Sequence, residues 1–225
     1  MSKRILMIVT SHDRLGNTDK KTGFWLEELA APYRTFVEAG AQVDIASPKG
    51  GKAPADPGSA EQATDDVRWF LANAEASKKL ESTLRLADIA PSNYDAYFLV
   101  GGHGVMWDLA VNEQSATLLG SAFDQGKVVA AVCHGPGGLV NVRTGDGKPL
   151  VQGRRVTGFS DEEEKAVKLE TVVPFLLETR LRELGGRYER GAMWSSFAVR
   201  DGKLVTGQNP QSSALVARET LAALG

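Results

Sequence analysis

The run Val128–Val132 (VVAAV) is apolar at every position. Strand side chains alternate between the two faces of a sheet, so a strand with no polar face must be covered on both sides. That demand calls for a parallel sheet held between two layers of helices. Arg4–Val9 (RILMIV), Val43–Ser47 (VDIAS) and Tyr94–Val100 (YDAYFLV) share the mostly apolar character and read as neighbouring strands. Between the first two, Leu26, Leu29, Ala30, Tyr33, Phe36 and Val37 recur at helical spacing. Pro32 is expected to bend that helix, which starts near Gly23, and Gly40 to end it. A helix over 113–125 stops near Gly126, and a last helix is expected from Ser212 to Leu224.

The expected fold is therefore α/β and flavodoxin-like, a mostly parallel sheet sandwiched by helices, in a single domain over residues 1–225. Residues 48–63 are rich in Gly, Pro, Ala and Asp and form a surface loop. The stretch 65–89 has a hydrophobic side and exceeds a plain strand-to-helix connection, so 48–90 reads as a helical insertion or lid. Asp201-Gly202, between Phe197–Arg200 and Leu204–Thr206, predicts a C-terminal β-hairpin. Leu150–Thr157 reads as another hairpin turned around Gly153, and further helices are expected to start at Ser160, Pro136 and Pro174.

The buried run at Val128 leads straight into Cys133-His134-Gly135-Pro136-Gly137. A cysteine there stands at the carboxyl end of a central strand, where open α/β sheets place their ligands. A helix start favours the thiolate, and the small residues admit a substrate, so Cys133 is expected to be a nucleophile with a depressed pKa. His134 is the adjacent base. Gly101-Gly102-His103-Gly104 closes the neighbouring strand, and its backbone N–H groups could hold an oxyanion or bind substrate. In Ser160-Asp161-Glu162-Glu163-Glu164, Ser160 and Glu163 fit a capping box. Glu164 has no such local duty and is the acid best placed to orient His134. Glu28 follows Glu27 on the first helix. The two point about 100° apart, so only one faces inward. A buried carboxyl there would stay protonated, or shuttle protons, beside the thiol.

Several classes are excluded. A net charge of −2 provides no basic field for nucleic acid or an acidic membrane surface. No apolar run approaches the roughly 20 residues of a membrane span. One cysteine forms no internal disulfide, which suits a reducing cytoplasm. Three histidines spread along the chain argue against a zinc site. A glutamine amidotransferase would need a histidine downstream of His134, and none follows. A cysteine peptidase or amidase, a holding chaperone and a redox-sensing protein remain as alternatives.

Val-Cys-His-Gly-Pro at 132–136, Gly-Gly-His-Gly at 101–104 and Thr-Gly-Phe-Ser-Asp-Glu-Glu-Glu at 157–164 resemble the ThiJ/PfpI superfamily, a class I glutamine-amidotransferase-like group. Asp-Gly-Lys-Leu-Val-Thr-Gly-Gln-Asn-Pro at 201–210 and Gly23-x4-Glu28-x3-Pro32 match as well. The chain looks most like the heat-shock-31-type branch, the glutathione-independent glyoxalases (glyoxalase III), also described as chaperones and deglycases. The resemblance implies Cys133 as nucleophile, His134 as its base, Glu164 as the acid and Glu28 as the carboxyl beside the sulfur. A run of three glutamates leaves Glu163 open as an alternative to Glu164. The resemblance further implies a small reactive aldehyde such as methylglyoxal as substrate, lactate as product, no metal or other cofactor, and a homodimer.

Overall fold

A computed structural model describes residues 2–61 and 63–225; Gln62, within the expected 48–63 loop, lies outside them. Chain order begins β1 (Arg4–Ile8), α1 (Leu26–Glu38), β2 (Gln42–Ser47), α2 (Pro57–Glu61), α3 (Asp65–Ala72), α4 (Ala74–Glu81) and β3 (Leu84–Arg85). It continues through β4 (Ala96–Leu99), α5 (Glu113–Asp124), β5 (Val128–Val132), β6 (Arg155–Val156) and α6 (Asp161–Ala166). The last elements are α7 (Leu177–Glu183), β7 (Arg187–Tyr188), β8 (Ala198–Asp201), β9 (Leu204–Gly207) and α8 (Ser213–Leu224).

Seven strands form one sheet in the order β3-β2-β1-β4-β5-β9-β8, parallel throughout except for the β8–β9 hairpin at one edge. This is the flavodoxin-like sandwich that the apolar strands demanded. The side chains of β4 and β5 are buried at every position. α1 covers one face with Leu29, Tyr33 and Phe36, and the Phe36 ring meets Phe98 of β4 edge-on at 5.6 Å. Strand order reverses between β1 and β4: the chain moves outward through β2 and β3, then returns to the other side of β1. A crevice at the carboxyl ends of β1, β4 and β5 follows from that reversal. Among the described residues, no helix is long and apolar enough to cross a membrane.

Within the expected insertion, α3 packs on α1 and β3 joins the sheet edge. Val67 and Phe70 of α3 are buried, with Phe70 edge-on to Tyr33 of α1 at 5.0 Å, and β3 extends the sheet beyond β2. α1 runs unbroken through Pro32, and Gly40 follows it at φ +80°.

Two local expectations are corrected. Leu150–Thr157 makes no hairpin: β6 pairs in parallel with the distant β7 as a separate two-stranded sheet. Past Pro174 the helix begins at Leu177, after Leu176 in an extended conformation. The short helix expected past Pro136 is present as a five-residue 3₁₀ segment, Gly135–Leu139.

Candidate active site

Cys133 sits directly after β5 with φ +58°, a left-handed conformation that costs a non-glycine residue on the order of 1–3 kcal/mol. The neighbours impose it. The Cys133 N–H donates to the Gly207 carbonyl at 3.0 Å, and the Cys133 carbonyl accepts from the Phe159 N–H at 2.8 Å. The sharp turn also needs Gly135, where a Cβ would lie 2.4 Å from the Leu99 carbonyl oxygen.

His134, buried, places Nδ1 3.4 Å from the Cys133 sulfur and Nε2 2.7 Å from Glu164 Oε2. The other Glu164 oxygen lies 2.8 Å from His103 Nε2. Burial alone would raise the Glu164 carboxyl; attraction to His134 and hydrogen bonds from both imidazoles overcome it and hold the group well below its ordinary value. An ionised carboxylate only accepts hydrogen bonds, so each histidine donates its Nε2–H to Glu164. That tautomer leaves His134 Nδ1 as an acceptor facing the thiol. Burial, then the nearby His103, lowers the His134 pKa, so the resting imidazole is neutral.

Glu28 is fully buried on α1 and accepts the Gly101 N–H at 2.9 Å through Oε2. Its Oε1 has no hydrogen-bond partner among the described residues, and the carboxyl faces the Cys133 thiol. Burial pushes the carboxyl up to about 8, so it is protonated at neutral pH. Glu27 instead accepts a hydrogen bond from Thr64 at the surface. Gly101 is required here because a Cβ would fall 2.3 Å from Glu28 Oε2.

Burial and the facing Glu28 carboxyl raise the Cys133 thiol well above its ordinary value, and the His134 backbone N–H only partly offsets this. The expectation of a depressed pKa is therefore corrected. It relied on a helix dipole, and a short 3₁₀ turn at a site 4% exposed cannot outweigh desolvation. Alkylation of this single cysteine should accordingly follow an apparent pKa above the free-thiol value of about 8.5. A pH–rate curve with its midpoint below that value would restore the dipole argument.

The Gly104 N–H is engaged by the Gly23 carbonyl at 3.3 Å, which removes it as an oxyanion donor. Gly102 and His134 border the cavity, and their N–H groups have no backbone acceptor among the described residues. Gly102 adopts φ +101°, and a Cβ there would meet the Gly23 carbonyl oxygen at 2.4 Å. These features enclose a cavity of about 330 Å³ bordered by Trp25, Glu28, His103, Cys133, Phe159 and Trp194. The histidines that lie far apart in sequence meet here, with the rings of His103 and His134 4.0 Å apart. With Glu164 they offer ligand atoms within 4.8 Å of one another, so a metal ion could be held, at the cost of both Glu164 hydrogen bonds.

Glu163 caps α6 through Ser160 as expected, but it does more. Its Oε2 accepts from the Ser160 N–H at 3.1 Å and hydroxyl at 2.8 Å, while its Oε1 accepts from the Trp194 N–H at 2.9 Å and Asn209 Nδ2 at 2.8 Å. A carboxylate with four buried or half-buried donors ties three chain segments together. Glu163→Ala should therefore cost on the order of 3 kcal/mol or more, well beyond a cap alone, because it strands every donor. Glu164→Ala should instead cut turnover about 10²- to 10⁴-fold. Denaturant melts and kinetics on the two variants distinguish these roles. Trp194 had no sequence signal, since it lies in an irregular loop without periodicity.

A family model described as DJ-1/PfpI family matches residues 21–223. The glutathione-independent glyoxalase HSP31 of Saccharomyces cerevisiae is 28% identical over 99% of this chain and 98% of its own. The crystal structure of glyoxalase III from Candida albicans superposes with a TM-score of 0.90 at 28% identity, covering 98% of this chain and 97% of that one. The 24 kDa rapid encystment protein of Francisella tularensis superposes at 0.96 with 38% identity and 99% coverage of both chains.

Proposed function

The chain belongs to the DJ-1/PfpI family, and from that premise we propose that it is a glutathione-independent glyoxalase, converting methylglyoxal and water to lactate. The observation that carries this reading is the protonated Glu28 carboxyl facing the Cys133 thiol, with His134 Nδ1 at its side. Glyoxalase chemistry needs a nucleophile and a group that both gives and takes protons within one small cavity.

In the first step the Cys133 sulfur attacks the aldehyde carbon. The thiol proton passes to His134 Nδ1, and Glu28 protonates the aldehyde oxygen, leaving a hemithioacetal and a Glu28 carboxylate. Ionised Glu164 stabilises the imidazolium that forms. The N–H groups of Gly102 and His134 are the donors for negative charge on oxygen. Glu28 then takes the proton from the former aldehyde carbon and returns it to the adjacent carbon, while His134 moves protons between the oxygens. The product is a lactoyl thioester on Cys133. Water cleaves that thioester, giving lactate, a proton and the restored thiol, and the imidazolium proton of His134 passes to Glu28, which returns both groups to their resting forms. His103 keeps Glu164 in place from its second oxygen.

Residues 48–90 are read as part of the body of one domain rather than a lid, since α3 and β3 dock on the core. A homodimer in the cytoplasm is the expected setting. The direct test is lactate formed from methylglyoxal by the purified protein without added thiol, since aldehyde loss alone also reflects modification of arginine and lysine. Absence of lactate would leave a peptidase, chaperone or redox role in its place.

A further inference from the structure

We propose that Trp194 sets the substrate preference of the Cys133 cavity toward 2-oxoaldehydes bearing an aromatic or bulky apolar substituent, and that Glu163 positions it. The substrate class rests on the glyoxalase reading; the assignment of Trp194 as a cavity wall does not.

A cavity of about 330 Å³ lies at the low end of the ~300–1,000 Å³ typical of small-molecule sites and exceeds what a methyl-substituted glyoxal fills. Its walls away from Cys133 are mainly apolar, with Trp25, Phe159, Val167, Trp194 and Pro210 beside the polar side chain of Gln211. The Trp194 ring stands 5.7 Å from Phe159, whose own ring lies 4.4 Å from His134. Aromatic side chains thus run from the base at the reacting centre out to the mouth. Trp194 is 37% exposed, so part of its ring is wetted until something occupies the cavity. An aromatic substituent projecting from the thiol adduct would cover that surface, and aromatic pairs favour the contact beyond burial alone.

The backbone reinforces the placement. Trp194 has φ +61°, a left-handed conformation that a bulky residue keeps only where its surroundings over-determine it. The Glu163 carboxylate takes the Trp194 N–H, and Asn209 bridges the same oxygen to the Ser195 carbonyl at 2.9 Å. Gly191 N–H, at the start of this loop, donates to Gln208 Oε1 at 2.8 Å. A surface loop with no task beyond connection has no need of a strained, half-exposed tryptophan pinned by a buried carboxylate.

The test uses two readouts on the wild type, Trp194→Ala, Trp194→Phe and Glu163→Gln. The first is kcat and KM for phenylglyoxal against methylglyoxal. Trp194→Ala should raise KM for phenylglyoxal about tenfold with kcat within about twofold, so that the ratio of kcat/KM for phenylglyoxal to that for methylglyoxal falls several-fold. Trp194→Phe should recover most of the loss. The second readout needs no turnover. Cys133 is the single cysteine, so its alkylation by N-phenyliodoacetamide and by iodoacetamide can be followed by mass spectrometry. The ratio of the two rates should fall several-fold in Trp194→Ala, because the ring loses its stacking partner. Glu163→Gln should shift the ratio in the same direction, by less. An unchanged ratio in Trp194→Ala, or one that moves toward the aromatic reagent, overturns the proposal. An unchanged ratio in a folded Glu163→Gln overturns the positioning role alone. If the alkylation ratio responds while neither oxoaldehyde yields product, the glyoxalase reading fails and the cavity wall stands.

Discussion

Cys133→Ala is expected to abolish lactate formation from methylglyoxal, a loss of at least about a thousandfold in kcat, while leaving the fold intact. The reasoning is structural at each step. The sulfur is the group in the cavity that can form the covalent adduct, and its removal leaves His134 Nδ1 and Glu28 with no nucleophile between them. Alanine keeps the backbone bonds to Gly207 and Phe159, and the alanine β-carbon is the one cysteine already places at this φ. Thermal melts should therefore shift by little. Glutathione should be unnecessary and a chelator without effect, because every proton transfer is assigned to a protein side chain. The decisive measurement is lactate by an enantiomer-specific assay. A Cys133→Ala protein that still forms lactate at more than a few per cent of the wild-type rate would remove the thiol from the mechanism.

Glu28→Gln should produce the second large effect, and it acts on activity and stability in opposite directions. The amide can neither give nor take the proton, so kcat should fall about 10²- to 10⁴-fold. Glu27→Gln, whose carboxyl meets Thr64 at the surface, should change kcat by less than about threefold, since a peripheral carboxyl takes no part in proton transfer. For stability the sign runs as follows. Burial raises the folded-state pKa of Glu28 from the ordinary 4.5 to about 8. Between those values the unfolded chain ionises and the folded chain does not, so the wild type loses stability as pH rises through that window. Glutamine has no such term. It can also accept the Gly101 N–H through its carbonyl and set its amide at the oxygen that has no partner. The variant should therefore gain on the wild type between pH 5 and pH 8, by up to the order of 3–5 kcal/mol. Wild-type kcat/KM should decline above about pH 8 as Glu28 loses its proton. Parallel stability curves for wild type and Glu28→Gln would show that the carboxyl is ionised at neutral pH and would reassign the acid.

Much of this site was legible before any coordinates, and the reason is locality. The apolar run VVAAV demanded a strand covered on both faces, and that demand alone placed Cys133 at a strand end in a parallel sheet. Ser160 and Glu163 are three residues apart, so their capping box could be read from the chain. Asp201-Gly202 encoded its hairpin in the same way. Helical spacing limited the inward carboxyl to one of Glu27 and Glu28, and the family motif named Glu28.

Tertiary structure decided whatever depends on partners distant in sequence or on the absence of water. Glu164 joins His134 to His103 across 30 and 61 residues, and no spacing rule foretells one carboxylate shared by two imidazoles. Glu163 reaches Trp194 and Asn209 from the far side of the site, which turns a helix cap into a junction of three segments. β6 found β7 rather than a hairpin partner because two-residue strands carry almost no pattern of their own. The titration of Cys133 went the same way, whereas the raised Glu28 carboxyl followed the expectation for a buried acid. Sequence supplies the nearby dipoles, but desolvation scales with burial, and burial is a property of the whole packed chain. The chain thus determined on its own which groups stand at the strand ends, and only the fold determined that the thiol keeps its proton.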